Sequence, residues 1–150
     1  MKFQREKTHE IFEEIKPLLA RHYHEIAHYK DIKLEPSWDE YRFLEEREFL
    51  RTFTARDDRN ELIGYAVFFV KPNLHYRGSL QAVQDIIYID SERRGFGKEF
   101  IKWCDSQLKS EGVQAVYHHV KKSHNWGPML ERMGYQLIDL VYGKRLDQWE

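Results

Sequence analysis

The stretch Asp85-Ile86-Ile87-Tyr88-Ile89-Asp90-Ser91-Glu92-Arg93-Arg94-Gly95-Phe96-Gly97-Lys98 runs from an apolar strand, through a turn with two glycines, directly into a helix. Backbone N–H groups at such a helix start have no partner within the helix and point outward. They bind anions, phosphates above all. Glycine lets a ligand come close to the backbone. Arg93, Arg94 and Lys98 bring positive charge to the same place. Two common phosphate fingerprints do not fit. Phe100 stands where the dinucleotide pattern needs its third glycine or alanine. Gly97-Lys98 is followed by Glu99 rather than Ser or Thr, and the leading glycine of a nucleoside-triphosphate loop is missing.

Outward from the loop, residues 81–89 read as the strand that leads in. The helix that follows carries Phe100, Ile101, Cys104 and Leu108 on one side, and Gly112 is placed to end it. Residues 113–120 read as a strand, 125–133 as a short helix stopping at Gly134, and 135–142 as a last strand. The strand–helix–strand part needs a crossover, so its two strands are expected to be parallel. Toward the N-terminus, Ile11, Ile15, Leu18 and Leu19 recur at helical spacing over 10–22. Ser37 with Glu40 has capping-box spacing and opens a second helix, whose apolar side is Trp38, Tyr41, Phe43 and Leu44. Residues 51–56 alternate, with Phe53 and Ala55 on one face. The polar cluster 57–60 is a turn signal, and 62–70 is a nearly unbroken apolar run, as a central strand would be, ended by Pro72 and Asn73. Helical and strand patterns alternate without repeat or linker, so an α/β or α+β fold in a single domain, 1–150, is expected.

Composition narrows the function. The chain has 150 residues, 41% hydrophobic and 15% aromatic, enough for a core without staples. A formal net charge of -1 offers no positive excess for nucleic acid or anionic lipid to read. The single cysteine, Cys104, cannot form an internal disulfide and falls on an apolar helix side, so it reads as core rather than nucleophile. The first ten residues are charged and lack a signal core, and no run reaches membrane-spanning length. A cytoplasmic protein is expected.

The loop Glu92-Arg93-Arg94-Gly95-Phe96-Gly97 resembles the pyrophosphate loop of the GNAT (Gcn5-related N-acetyltransferase) superfamily, written Q/R-x-x-G-x-G/A. The similarity continues through the long helix and strand to Leu130-Glu131-Arg132-Met133-Gly134-Tyr135, which matches the Gly-Tyr end of that family's short helix. The basic glycine loop and compact C-terminus look like members encoded by tailed bacteriophages, which would place the protein in the host cytoplasm. The resemblance implies a mixed, mostly antiparallel sheet flanked by helices, with a parallel pair around a coenzyme cleft. It implies acetyl-CoA as acyl donor, no metal, an unidentified amine acceptor and, as in similar proteins, a homodimer as one assembly. By resemblance the loop amides at Arg93, Arg94, Gly95, Phe96, Gly97 and Lys98 would bind the pyrophosphate. The strand at Ile87, Tyr88 and Ile89 would hold the pantetheine arm, with Asn125 near the coenzyme. Glu92 departs from the usual Gln or Arg. Leu130 stands where many members carry an acidic tyrosine, and Val141 to Leu146 gives only a short last strand.

Transfer to an amine needs a base, because a lysine-like amine titrates near ~10.4. Asp85, in an apolar stretch of the strand that enters the loop, is the first candidate. Burial there would raise its pKa. Its structural role would be a buried carboxylate bonded to backbone or to a neighbouring histidine. Gln84 would face the other side of that strand. His118 or His119 on the next strand, and Tyr117 or Tyr142 as acid, complete the catalytic candidates. Each of these taken alone fits packing or surface better than catalysis. The loop 73–80, with His75, Tyr76 and Arg77, could line the acceptor side, but reads first as an ordinary polar hairpin loop. His22, His24 and His28 do not share one helix face and lack a ligand framework. By the family resemblance, in which the segment between the first two helices borders the acceptor pocket, they would shape that pocket beside Glu25. The expected reaction is acetyl transfer from acetyl-CoA to a primary amine by direct attack. The alternative is a GNAT-fold binding or interaction protein that keeps the coenzyme pocket with weak or no catalysis.

Overall fold

Strands that are apolar on both faces must be covered on both, and here helices flank a single sheet. The computed structural model describes residues 1–93 and 95–148. The chain divides into two compact units, Met1–His119 and Val120–Glu150.

The first unit contains β1 (Lys2–Arg5), α1 (Phe12–Ile26), α2 (Trp38–Glu46), β2 (Leu50–Arg56), β3 (Leu62–Pro72), β4 (Leu80–Ile89), α3 (Gly97–Ser110) and β5 (Ala115–Tyr117). The sheet order is β1-β2-β3-β4-β5. The first three pairings are antiparallel and β4–β5 is parallel. The crossover through α3 dictates that last direction, as the sequence led us to expect. The fold is mixed α/β.

Two apolar clusters sandwich the sheet. On one face Phe53, Ala55, Ala66, Phe68, Val70 and Ala82 meet Phe100, Cys104 and Leu108 of α3. On the other, Leu62, Tyr65 and Tyr88 meet Ile11, Ile15 and Leu18, with Trp38 of α2 packed alongside. Burial of each of these large side chains stabilises by roughly 1.5–3 kcal/mol. Cys104 is wholly buried, and burial, then the Asp105 charge, push its thiol well above its ordinary range. It is core, as expected.

Three local expectations need correction, and residues 2–5, to which the sequence reading gave no element, form β1. Phe3 earns that place by packing on Phe100 at 5.2 Å and on Phe96 and Trp103 at 6.2 and 6.0 Å. Ser37 is the N-cap of α2, but its side chain makes no capping bond, so the expected box does not close. The strand expected over 113–120 keeps only Ala115–Tyr117.

The strand expected over 135–142 does not form. The second unit holds a 3₁₀ turn at Lys122–His124 and α4 (Gly127–Arg132), which ends at Gly134 with φ +96°. After Tyr135 N–H bonds Leu130 O, residues 136–143 make no backbone–backbone hydrogen bond with any described residue. Leu137, Ile138, Leu140, Val141 and Tyr142 are exposed. Strand-forming side chains do not make a strand without a ladder partner.

Candidate active site

The β3–β4 ladder carries an irregularity at Asp85, the first candidate for the base. Val67 pairs with Ile86, and the next residue, Phe68, pairs with Gln84. Asp85 is therefore the extra residue of a β-bulge, a feature that re-aims side chains. Before the bulge, Leu80 and Ala82 face α3. After it, Ile87 and Ile89 face α3, while Ile86 and Tyr88 face α1. Asp85 and Ile86, though adjacent, look to the same side.

On that side the Tyr41 hydroxyl of α2 donates to Asp85 Oδ2 at 2.6 Å. Burial pushes the Asp85 carboxyl above its ordinary 3.8, and the Tyr41 bond works against that rise. Burial, the Asp85 charge and the same bond raise the Tyr41 phenol, so it stays protonated and donates. Tyr65 on β3 is likewise raised, first by burial, then by Tyr88, Tyr41 and Asp85. His22, 6% exposed, lies 3.0 Å through Nδ1 from Tyr65 Oη and stacks on Tyr88 with centroids 4.8 Å apart.

Gln84 faces the other way. Its Nε2 donates to His119 O at 3.4 Å, which orients the amide, and its Oε1 accepts from His118 Nδ1 at 2.8 Å. His118 also packs edge-on to Phe68 at 5.6 Å. Burial, then the His119 charge, lower its pKa to about 4, so the ring is neutral near pH 7. The structure thus puts His118 and Asp85 on opposite faces of β4.

The β4–β5 ladder stops at Val83↔Tyr117, and among the described residues no strand pairs with that side of β4 beyond it. Asp90 N–H donates to Ile63 O. By strand alternation, Tyr88 turns its backbone groups toward β3, and Ile87 and Ile89 turn theirs to the opened side.

The loop follows at once. Arg93 N–H donates to Asp90 O, closing a 3₁₀ turn over Ser91–Arg93. The Arg93 side chain reaches Asp57 Oδ2 in the β2–β3 turn at 2.7 Å. Asp57 also accepts the N–H groups of Arg59 and Glu61, and these bonds, with Glu61 foremost, hold its carboxyl below the usual range. Arg93 is therefore committed to bracing the loop. Gly95 has φ +132°, a region that favours glycine. Phe96 is buried beside Phe3 and Phe100. The first α3 bond runs from Phe100 N–H to Phe96 O, which leaves the N–H groups of Gly97, Lys98 and Glu99 ahead of the helical ladder. Lys98 is exposed. Arg94 lies outside the described residues.

The α1 histidines diverge. His24 and Glu25, with Ala20, Arg21, Tyr88 and Ser91, line a recess of about 500 Å³, and Arg21 bridges to Asp90 at 3.5 Å. His28 lies past the end of α1, edge-on to Tyr29. Among the described residues no group of three or more His, Cys, Asp or Glu is placed to hold a metal. Asn73 caps the β3–β4 loop by accepting from His75 and Tyr76. In the second unit, Asn125 Oδ1 accepts Gly127 N–H at the start of α4, Leu130 is 6% exposed and Tyr142 is 90% exposed.

Residues 8–135 match the model of the acetyltransferase (GNAT) family. The chain belongs to this family. No curated protein matches it. Among solved structures, the GNAT chain is similar to a tetramutant protein from Bacillus halodurans, at 16% identity, 97% and 100% coverage of the two chains and a TM-score of 0.75. It is also similar to a ribosomal-protein-alanine N-acetyltransferase from Brucella melitensis biovar Abortus 2308, with 19% identity, 97% and 100% coverage and a TM-score of 0.70. A third is a predicted acetyltransferase from Clostridium acetobutylicum solved with acetyl-CoA, with 14% identity, 99% and 97% coverage and a TM-score of 0.68.

One neighbour of Asp85 in the GNAT chain went unread in the sequence as anything but packing. Tyr41 sits in the apolar stripe of α2. The signal was its hydroxyl, since a buried tyrosine usually finds a hydrogen-bond partner.

Proposed function

We propose that this GNAT chain transfers an acetyl group from acetyl-CoA to a primary amine by direct attack, with Asp85 as the base. The observation that carries the reading is the β4 bulge, which sets a half-buried carboxylate beside the point where β4 and β5 part. Acetyl-CoA would supply the acyl group as a thioester. The N–H groups at the start of α3 suit its pyrophosphate, with Lys98 adding charge and Gly95 permitting the turn. The edge of β4 beyond its pairing with β5, at Ile87, suits an extended amide-bearing arm. Asp85 takes a proton from the amine, and its raised pKa brings it closer to that task.

A second reading, a binding protein without turnover, is favoured by one observation. Leu130, an apolar and buried side chain, occupies the position that the family resemblance assigns to an acid.

Calorimetric titration with acetyl-CoA comes first, on the wild type and on a folded Gly95→Trp, Gly97→Trp variant. Binding lost in the variant supports the loop. An amine panel then separates the readings. Turnover that drops roughly 10²–10⁴-fold in Asp85→Asn supports the base. Binding without turnover of any amine leaves the binding protein.

A further inference from the structure

Tyr41 reaches Asp85 from a helix that other contacts already hold. Trp38, one turn before it, packs on Phe12 of α1 with centroids 4.5 Å apart. At the other end of α2, Glu45 accepts the Thr8 N–H at 2.6 Å and also bonds the Thr8 hydroxyl. The Tyr41 hydroxyl is thus not what docks α2. It extends from an anchored element to one oxygen of a carboxylate that sits on a bulge.

The titratable groups that face Asp85 are few. Tyr41 comes from α2 and Tyr65 from β3, with Tyr88 of β4 and His22 of α1 stacked behind Tyr65. Among the described residues no lysine or arginine pairs with Asp85. A half-buried carboxylate held by a neutral donor, with no cation paired to it among the described residues, is stabilised by taking a proton or meeting a cationic group.

We infer that Tyr41 is a positioning residue for Asp85: by donating to Oδ2 it fixes the carboxylate in one orientation and leaves Oδ1 to receive the proton of a cationic amine. The inference rests on the reading of Asp85 as the base. In the reaction an ammonium ion at Oδ1 gives up one proton to that oxygen. The freed nitrogen lone pair forms the N–C bond at the thioester carbon, the C–S electrons leave on sulfur, and the second proton that the acylated nitrogen sheds ends on that thiolate, giving the amide and the free thiol. Tyr41 keeps its own proton throughout. Because its bond favours the charged carboxylate, its loss should make Asp85 a base only at higher pH.

The test compares wild type with Tyr41→Phe. Carbon NMR of the Asp85 carboxyl is titrated with neither donor nor amine present, and the acid limb of kcat/KM is measured on the amine panel. The carboxyl midpoint should rise by about one pH unit, and the acid limb should move with it. In an Asp85→Asn background the Tyr41 change should add nothing further. An unmoved midpoint in a folded Tyr41→Phe overturns the inference. A moved midpoint in a protein that acetylates no amine upholds the Tyr41–Asp85 link and defeats Asp85 as base, so the two failures are told apart. If Tyr41→Phe does not fold, Asp85→Asn reads the link from the other side. The Tyr41 phenol should then ionise at lower pH than in wild type, and an unchanged phenol titration overturns the inference.

Discussion

Asp85 costs the fold something at neutral pH. Its folded pKa lies above the ordinary 3.8, so the folded state holds its proton longer than the unfolded chain. The stability this contributes is full below about that value and is lost as pH rises through the raised folded pKa. Asp85→Asn should therefore melt at a higher temperature than wild type at pH 7, and the gap should close toward pH 3, as differential scanning calorimetry can show. His118 has the opposite sign. Its folded pKa is lowered from 6.5 to about 4, so its contribution is full above pH 6.5 and is lost as pH falls toward 4. His118→Asn should flatten that part of the acid unfolding curve relative to wild type. Gly95 is constrained by its backbone alone. A Gly95→Ala change meets no neighbour within 4 Å but must adopt φ +132°, at a cost of about 1 kcal/mol or more in urea unfolding.

At the scale of elements, β1 shows how a short polar segment is held. Arg56, 5% exposed, closes β2 and receives Glu6 from just past β1 and Glu14 from α1, besides donating to Asn60 O. Burial raises the Glu6 carboxyl, but bonds from Arg56, Thr54 and Gln4 and the Arg56 charge outweigh it, so its pKa ends below 4.5. That stability is present above 4.5 and is lost as pH falls through the lowered value. Arg56→Ala strands these acids and should cost on the order of 3 kcal/mol by chemical denaturation. None of this was legible in residues 2–5, because β1 is stabilised by charges and rings distant in sequence. The long elements were legible for the converse reason. The apolar stripe of α3 and the run of β3 carry their burial pattern locally, in Phe100, Ile101, Cys104 and Leu108 and in residues 62–70. Residues 135–142 carry a strand-like composition too, but a ladder is a property of two segments, and composition reports one.

For the whole molecule, amide exchange should follow the ladder. Protection should be greatest in β2 and β3, whose residues are nearly all buried, and least across 136–143, which make no backbone–backbone hydrogen bond with any described residue. Mass spectrometry of exchanged peptides checks this, and comparable protection in both regions would contradict the described C-terminal segment. The candidate site divides in the same way. The glycine loop was readable because one continuous segment encodes it. The Tyr41–Asp85 contact was not, because α2 and β4 meet only in three dimensions and the bulge that aims Asp85 has no signature in an apolar strand. That bulge has a genetic reading. Pairing on either side of Asp85 already has the register of a strand in which Gln84 and Ile86 adjoin. Excising the single codon would regularise the ladder without turning any other β4 side chain to the wrong face. The residue assigned to the chemistry is thus the one that the architecture can spare, an insertion that the sheet tolerates rather than a position it requires.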